Sequence, residues 1–471
     1  MKRHSTVFER QAPPDALVTE ALRSAERRVF WLDDAPGVDH PQLTGSIDAD
    51  LTVVGGGYCG LWTALLAKRR DPAARIVLLE AESIGWAASG RNGGFAEASL
   101  THGAENGRSR WPDEYDTIEQ LGIDNLDALE RDVTELGMDV QLERTGVLSV
   151  AYEPHQVQWL EEGSYGEWLD EGAVQAEIAS PIFRAGRWAK DDRALVHPGR
   201  LARELARVAA DLGVEIFERS AVTGLGSART GRVDVRTTYG LVRSRKVALA
   251  TNVFRPLLRR SRLSTVPVYD YVLMTEPLSA AQMSTIGWQH RQGVSDLANQ
   301  FHYSRLTADN RILYGGYDAI YHAGRRVRPE YEDRDESYRR LASHLLTTYP
   351  QLEGVGISHR WAGAIDTSTQ FCAFHGLARR GRVAYAAGFT GLGVAATRFA
   401  AEVMLDRLDG KTTPRTRLGM VRKKPLPFPP EPFAKLGIEA TKWSLDRADH
   451  REGRRNLMLR TLDRLGLGFD S

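Results

Sequence analysis

Hydrophobic residues follow strand-like and helix-like spacings along most of the chain. Apolar runs at 51–54 and 76–79 predict two buried strands, and the Ala- and Leu-rich run at 61–68 between them predicts a helix. A strand, a helix and a second strand in this order predict a parallel pair of strands joined by a crossover helix.

The same α/β pattern returns twice further along the chain. A predicted helix at 201–212 is followed by strands at 214–217 and 247–250, and a strand at 383–386 leads into a helix at about 393–408. The segments between these returns differ, so we predict two interleaved domains.

The intervening segments combine helices with a sheet. Residues 115–180 have amphipathic helical patterns with one strand at 146–150. Residues 266–320 alternate between apolar and polar with a period of two, which predicts a mostly antiparallel sheet. Residues 330–349 predict a charged helix.

Both ends of the chain lie outside these patterns. Residues 1–48 are polar with one apolar segment, 29–32, and predict an arm laid over a domain. Five prolines between 425 and 432 predict a stiff linker. Beyond it, a helical repeat of apolar residues is formed by Phe433, Leu436, Ala440 and Trp443. This basic tail either packs on its own protein or touches a membrane surface or a partner protein.

Composition and charge narrow the functional classes. The 471 residues suffice for two or three domains, and 62 basic against 61 acidic residues give no overall attraction to nucleic acid. Cys59 and Cys372 lie far apart in sequence, and no histidine pair has metal-ligand spacing. Residues 1–15 carry no apolar signal-like run. We therefore expect a cytoplasmic protein that binds no metal and no nucleic acid.

The most specific motif is a G-x-G-x-x-G sequence between the first strand and the first helix, Gly55-Gly56-Gly57-Tyr58-Cys59-Gly60. Such a turn lets the backbone approach a pyrophosphate at the helix N-terminus. Glu80 ends the second strand, 20 residues after Gly60, where an acidic residue accepts the ribose hydroxyls. The charge of Glu80 favours FAD or NAD over NADP, because it repels a 2′-phosphate. The alternative interpretation of the motif is a glycine-rich turn that binds no ligand.

A second glycine-rich segment, residues 85–95, indicates which of FAD and NAD is the cofactor. We call it the second glycine loop, and its candidate cofactor contacts are Ala88, Ser89, Arg91, Asn92, Gly93 and Gly94. Small residues let the backbone pass close to a flat ligand, and its N–H groups can approach the N5/C4 edge of a flavin. NAD has no evident need for this loop, so FAD is the preferred cofactor.

Three further motifs accompany the two glycine segments. They are His197-Pro198 before a helix, Ala250-Thr251-Asn252 at a strand end, and Ala387-Gly388-Phe389-Thr390-Gly391-Leu392-Gly393-Val394. Together, over about residues 45–410, the motifs resemble the D-amino acid oxidase-like FAD-dependent oxidoreductases, which include glycine, sarcosine and γ-glutamylputrescine oxidases. The Ser-Gly-Arg-Asn-Gly-Gly sequence is most similar to the γ-glutamylputrescine oxidase branch.

The resemblance implies an α/β fold in which a Rossmann-like FAD-binding domain is interleaved with an α+β substrate domain built on a mostly antiparallel sheet. It assigns 49–100, 190–265 and 356–410 to the FAD-binding domain and 101–189 and 266–355 to the substrate domain. The arm is then 1–48, and the linker with its helical tail is 411–471. Further FAD contacts are expected at Val222, Ala250, Thr251, Gly388, Thr390, Gly391, Leu392, Gly393 and Val394.

The family's reaction is oxidation of a C–N bond. Hydride leaves the carbon next to a neutral amine for flavin N5, the imine is hydrolysed to a carbonyl compound, and O2 reoxidises the flavin to give H2O2. Candidate catalytic residues are Tyr271, Arg305 and Trp361, and candidate substrate contacts are Tyr269, His302, Tyr303 and Phe389. Core packing is an equally good explanation of any one aromatic residue among them.

Three departures from the family pattern matter. Ala395 stands where sarcosine oxidases carry a Lys that pairs with the substrate carboxylate, which disfavours amino acids unless Arg305 replaces it. The cysteine that carries covalent flavin aligns near Trp361 and not at Cys372, so we expect non-covalent FAD. The Lys that assists the reaction with O2 falls near Tyr314, which leaves open a dehydrogenase with another acceptor or a partner protein.

Two other interpretations remain. A NAD-dependent dehydrogenase explains the first glycine motif but not the second glycine loop. A flavoprotein that acts mainly by association would use the tail to dock on a partner or a membrane, with catalysis dependent on that partner.

Overall fold

The computed structural model describes residues 4–35, 37–227 and 231–464. The outermost parts of the predicted arm and tail, residues 1–3 and 465–471, lie outside the described residues, as does residue 36.

The strands, in chain order, are β1 Gly45–Val54, β2 Ile76–Leu79, β3 Phe95–Glu97, β4 Val147–Ala151, β5 Glu167–Leu169, β6 Ala185–Ala189, β7 Arg193–Leu195, β8 Glu215–Phe217, β9 Val222–Ser227, β10 Val233–Thr237, β11 Gly240–Leu249, β12 Thr265–Thr275, β13 Gly293–Asp296, β14 His302–Leu306, β15 Ile312–Gly316, β16 Ile320–Tyr321, β17 Ile357–Ser368, β18 Phe374–Ala378 and β19 Val383–Ala387.

The helices, in chain order, are α1 Val7–Arg10, α2 Asp15–Ala21, α3 Phe30–Asp33, α4 Tyr58–Arg70, α5 Ala104–Arg110, α6 Tyr115–Glu135, α7 Pro154–Glu162, α8 Glu171–Glu177, α9 Pro198–Asp211, α10 Ala280–Ile286, α11 Asp335–Thr348, α12 Gly393–Leu408, α13 Pro414–Arg417, α14 Gly419–Arg422, α15 Phe433–Asp449 and α16 Leu457–Arg464. Short 3₁₀ turns lie at Ala88–Gly90, Arg259–Ser261, Pro329–Glu332 and Pro350–Leu352.

The first sheet has the order β18-β19-β11-β1-β2-β8, with β10 on β11 and β9 on β10. Strands β19, β11, β1, β2 and β8 run parallel to one another. Every residue of β2 is buried, as expected for a parallel strand covered on both faces. Helix α4, apolar along most of its length, packs between this sheet and α12. This is a Rossmann-like α/β layer structure.

The second sheet has the order β16-β12-β15-β14-β13-β4-β6-β5, with β17 on β12. It is antiparallel except where β13 pairs with β4. Helix α11 covers one face, where its apolar residues share a core with alternate residues of β12 and β15. The other face is turned toward the second glycine loop.

One predicted domain boundary is wrong. Residues from 356 onward were assigned to the FAD-binding domain, but β17 pairs with β12 along its whole length and so belongs to the second sheet. The chain returns to the first sheet only at Phe374, the start of β18. At the other end, β1 begins at Gly45, so the arm is shorter than 1–48.

The N-terminal arm lies against both parts of the molecule. Val7, Phe8 and Val18 are buried in the core beneath the second sheet. Trp31, in the short helix α3, is 1% exposed and packs beside the second glycine loop.

The tail helix α15 packs on the protein through Ala434, Ser444 and Ala448. The predicted apolar stripe turns outward instead, with Phe433 64%, Leu436 63% and Trp443 58% exposed. Within the described residues, no helix combines the length and apolar character that crossing a membrane requires.

Candidate active site

The first glycine motif forms a tight turn that brings β1, α4 and β11 together. Gly55 has a φ of +115°, and a Cβ there would lie 2.4 Å from the Ala250 carbonyl oxygen at the end of β11. A Cβ on Gly60 would lie 1.8 Å from the Gly55 oxygen. Helix α4 can therefore begin directly against the strand ends, with its N-terminus free of side-chain bulk.

Glu80 lies at the end of β2 beside this turn. Its carboxylate accepts the N–H groups of Gly56 (2.5 Å) and Glu82 (2.9 Å) and the indole N–H of Trp86 (2.8 Å). Burial raises the pKa of Glu80, while these donors oppose the rise. An acidic group is thus fixed one strand away from the helix N-terminus.

The second glycine loop folds over the same turn. The Ser89 hydroxyl accepts the Tyr58 N–H (2.9 Å), and a Cβ on Gly57 would lie 2.8 Å from Ser89 Oγ. The Asn92 side chain ties the loop to itself, since it donates to the carbonyls of Ala88 and Ser89 and accepts the Gly94 N–H.

The arm holds the loop from outside. Trp31 Nε1 donates to the Asn92 carbonyl (2.9 Å), and the Trp31 ring lies edge-on against His197, 4.7 Å between centroids. His197 accepts the Arg200 N–H through Nδ1 (3.1 Å), so Nε2 carries the proton and donates to Asp34 (3.1 Å). Burial lowers the pKa of His197 to about 4.

Arg305 has a different place from the one predicted. Its buried guanidinium lies over the Trp31 ring and donates to the carbonyls of Val196 (2.6 Å), Gly93 and Gly94 (3.5 Å each). Burial lowers its pKa to about 10. These bonds hold the Arg305 guanidinium beneath the loop.

Arg91 turns away from the first glycine motif. Its guanidinium pairs with Glu332 (2.5 Å) and donates to the carbonyls of Trp86 and Ala362. The prediction that it contacts the pyrophosphate or ribityl oxygens is therefore not what the structure shows.

Arg91 and Trp361 border a cleft of about 480 Å³. The cleft lies between the arm, β17 and α11 and is lined by Arg27, Arg28, Val29, Arg91, Pro329, Glu332, Asp333, Tyr338, Arg360 and Trp361. It leads from the surface to the second glycine loop.

The glycine turn before α12 is organised by a buried carboxylate that the sequence did not single out. Asp366 on β17 accepts the N–H groups of Gly388 (2.5 Å) and Phe389 (3.2 Å). Burial raises its pKa to about 7. Position 388 requires glycine, because its φ is +79° and because Phe374 and Ser368 leave no room for a Cβ.

The rest of this turn completes the start of α12. Thr390, also at positive φ, donates through its hydroxyl to the Gly388 carbonyl, Gly391 is exposed, and Leu392 is the N-cap before Gly393. Phe389 and Val394 are buried in the core. Phe389 therefore does not line the wall of the substrate sheet.

Alternation along β12 and β14 divides the predicted substrate residues between two faces. Tyr269 and Tyr271 bond to the carbonyls of Arg328 and Tyr331 and are buried against α11. His302 bonds to Asp296 (2.7 Å) and His344 (2.8 Å) on that same face. The period of two therefore places the candidate catalytic residue Tyr271 and the candidate substrate contacts Tyr269 and His302 on the face away from the second glycine loop.

Tyr303 and Trp361 lie on the face turned toward the loop. A Cβ on Gly93 would lie 2.8 Å from Tyr303 Cε2, and Trp361 Nε1 donates to the Arg91 carbonyl (2.9 Å). Between them is Asp270, which accepts the Tyr303 hydroxyl and was missed in the sequence. The alternation along β12 identifies Asp270 when the residues on either side of Tyr269, rather than Tyr269 itself, are taken to face the loop.

The remaining predicted positions are dispersed. Thr251 follows Ala250 beside the first glycine turn, and Val222 begins β9, two residues after Ser220, whose N–H bonds to the Glu80 carbonyl (2.7 Å). Ala395 is buried in α12, and Tyr314 is buried on the α11 face, bonded to Thr348. No metal-binding group of His, Cys, Asp and Glu is found among the described residues.

The residues at the first glycine turn fit an FAD. Side-chain bulk is missing where the backbone must approach a pyrophosphate, a carboxylate stands ready for ribose hydroxyls, and residues 86–89 remain half-buried beside them. The groups that would hold the cofactor are the α4 N-terminus, Glu80, Ser89, the loop backbone and the turn before α12.

Comparisons with known proteins agree with this architecture. The family model for FAD dependent oxidoreductases matches residues 50–407. The gamma-glutamylputrescine oxidoreductase of Escherichia coli is 32% identical over 387 residues, covering 78% of this chain and 85% of that protein. A probable oxidoreductase OrdL of Haemophilus influenzae is 27% identical over 386 residues, with 79% and 85% covered.

Among solved structures, the glycine oxidase from Geobacillus kaustophilus superposes with a TM-score of 0.63 at 21% identity, covering 78% of this chain and 96% of that one. The fold is therefore that of a flavoenzyme with a Rossmann-like FAD-binding domain. The chain belongs to the FAD dependent oxidoreductase family.

Proposed function

We propose that the protein oxidises the C–N bond of a small amine and that O2 reoxidises its non-covalently bound flavin to H2O2. The overall change is R–CH2–NH2 + O2 + H2O to R–CHO + NH3 + H2O2. The observation that carries the proposal is the half-buried face of the second sheet, with Asp270 and Tyr303, set directly against the second glycine loop. The Escherichia coli relative, a gamma-glutamylputrescine oxidoreductase, supports an amine as substrate.

The chain's own residues have three tasks in this reaction. FAD, when bound, supplies the acceptor for a hydride from the carbon next to nitrogen. Trp361 and Tyr303 enclose the reacting end of the substrate and exclude water. Arg305 and Trp31 hold carbonyls of the second glycine loop and so fix its backbone. The α12 N-terminus stabilises negative charge that develops opposite it.

The lack of a carboxylate partner favours non-carboxylated amines. Ala395 is a buried core residue, and Arg305 is bonded to backbone carbonyls. We also place the protein in the cytoplasm, because both cysteines are buried free thiols.

A second candidate is a dehydrogenase that passes electrons to another acceptor. It is favoured by Tyr314, which stands near the position of the family's oxygen-activating Lys and is buried on the far face of the sheet.

Peroxide release by the purified yellow protein in air tests the proposal. The panel comprises primary amines, polyamines, N-acylated diamines and amino acids. Peroxide with non-carboxylated amines supports an amine oxidase. Flavin bleaching without peroxide indicates the dehydrogenase, and activity with amino acids alone contradicts the preference for non-carboxylated amines.

A further inference from the structure

One face of the second sheet forms a half-buried wall beside the second glycine loop. On β12, Val268 and Asp270 are half-buried, whereas Tyr269 between them is fully buried. Their partners on β17, Ile365 and Gly363, are half-buried as well. The contrast along β12 marks a face that borders open space rather than the core.

Asp270 is the anionic group of this wall. Its carboxylate accepts the Tyr303 hydroxyl and backbone N–H groups, and the charge of Asp318 disfavours its ionised form. Among the residues that the structure describes, no cation pairs with it. Burial raises its pKa to about 6, so near neutral pH it is a charged and incompletely compensated carboxylate.

Space for a ligand lies on the β17 side of Asp270. Gly363, directly opposite it in register, has no side chain, and the nearest atom that a Cβ there would meet is Arg91 Cβ at 3.5 Å. On the β15 side, by contrast, the Tyr303 ring fills the space above Gly315. The open side is the one next to Arg91 and Trp361, which border the surface cleft.

A carboxylate enclosed without a cation costs free energy that a cationic ligand offsets. We propose that Asp270 and Tyr303 form the site that binds the substrate's amino group, with Gly363 leaving room for it.

This inference rests on the proposed function and narrows it to amines that bind as ammonium ions and carry no carboxylate on the reacting carbon. The bound ammonium ion gives one proton to the Asp270 carboxylate before hydride leaves the neighbouring carbon, so the amine that is oxidised is neutral. A carboxylate there would face Asp270, while Arg91 is already paired with Glu332 and Arg305 is bonded to backbone carbonyls.

A binding probe that cannot be oxidised tests the site apart from turnover. tert-Butylamine is an ammonium ion at neutral pH and has no hydrogen on the carbon next to nitrogen, and tert-butanol is its uncharged analogue. Both are titrated into the flavin-loaded protein, and binding is followed by the change in the flavin absorption spectrum.

We expect tert-butylamine to bind D270N at least about tenfold more weakly than the wild type, because a charge-assisted hydrogen bond is lost. Asp270→Glu should recover part of the affinity, and Y303F should lose less than D270N. Tert-butanol affinity should not depend on Asp270. The control D124N removes one carboxylate from the exposed surface of α6 and should bind the amine as the wild type does.

Equal affinity of the wild type and D270N for tert-butylamine, or no binding by either, overturns the inference. Thermal melting of each variant verifies that it folds. If D270N does not fold, the tert-butylamine affinities of Y303F and Asp270→Glu are compared with that of the wild type instead. The proposed function fails separately, when no oxidisable amine bleaches the flavin of the wild type.

Discussion

Single residues decide which chemistry this sheet can support. On β12, the sequence predicts Tyr269 as a substrate contact and Tyr271 as a catalytic residue. In the structure both are buried beneath the sheet, and Asp270 between them faces the second glycine loop. The alternation was visible in the sequence, but its phase was not, because both faces of β12 are largely apolar. Only the packing of α11 against one face determines it.

Asp366 gives a prediction at the same scale. A carboxyl whose pKa is higher in the folded protein than in the unfolded chain keeps its proton to higher pH when folded. The protein therefore loses stability as pH rises from about 4 to about 7. In D366N the free energy of unfolding does not fall in this way, because an amide does not ionise. Near pH 5 its amide resembles the protonated carboxyl of the wild type.

We expect the free energy of unfolding of D366N, relative to that of the wild type, to rise by about 2.5 kcal/mol between about pH 5 and pH 8. Urea unfolding at both pH values measures the difference. A constant difference between the two proteins would show that Asp366 is not held with a raised pKa.

At the scale of elements, the strand–turn–helix units were predictable because their signals are local. The run at 51–54, the glycine motif and Glu80 specify β1, α4 and β2 without reference to the rest of the chain. The assignment of β17 failed because strand pairing is not local. Its residues pair with β12, some 90 positions earlier, and the sequence of β17 alone does not reveal that partner.

Gly60→Ala tests the first glycine turn. The added Cβ would lie 1.8 Å from the Gly55 oxygen, so α4 must move away from β1 and the pyrophosphate site opens. We expect purified G60A to carry little flavin, measured as the ratio of visible to ultraviolet absorbance.

Gly437→Ala is the matched control. Gly437 lies within α15 and has nothing within 4 Å of an added Cβ. This variant should keep its flavin and gain about 0.5–1 kcal/mol in stability. Full flavin occupancy in G60A would contradict the role assigned to the turn.

At the scale of the whole molecule, the arm packs against the second glycine loop and lines the cleft of the candidate active site. The sequence predicted that residues 29–32 dock on a domain, but which surface they reach depends on the assembled fold. Trp31, Arg305 and His197 come from the arm, the second sheet and the start of α9, and they meet behind the second glycine loop. Such a junction of distant segments has no signature in the sequence.

Trp31→Phe tests this junction. It removes the hydrogen bond to the Asn92 carbonyl, worth about 1 kcal/mol, so FAD affinity should fall about fivefold. Fluorescence titration of the apoprotein with FAD measures the change. The control is W443F, because Trp443 is exposed on the tail helix. Equal FAD affinity of W31F and the wild type would show that the arm does not support the loop.

Anaerobic titration of the purified protein with a simple primary amine tests the central claim most directly. The account predicts that the flavin absorption band bleaches with the amine and that the corresponding aldehyde appears in equal amount. Bleaching by α-amino acids but not by amines would contradict it, and so would a flavin that no amine reduces.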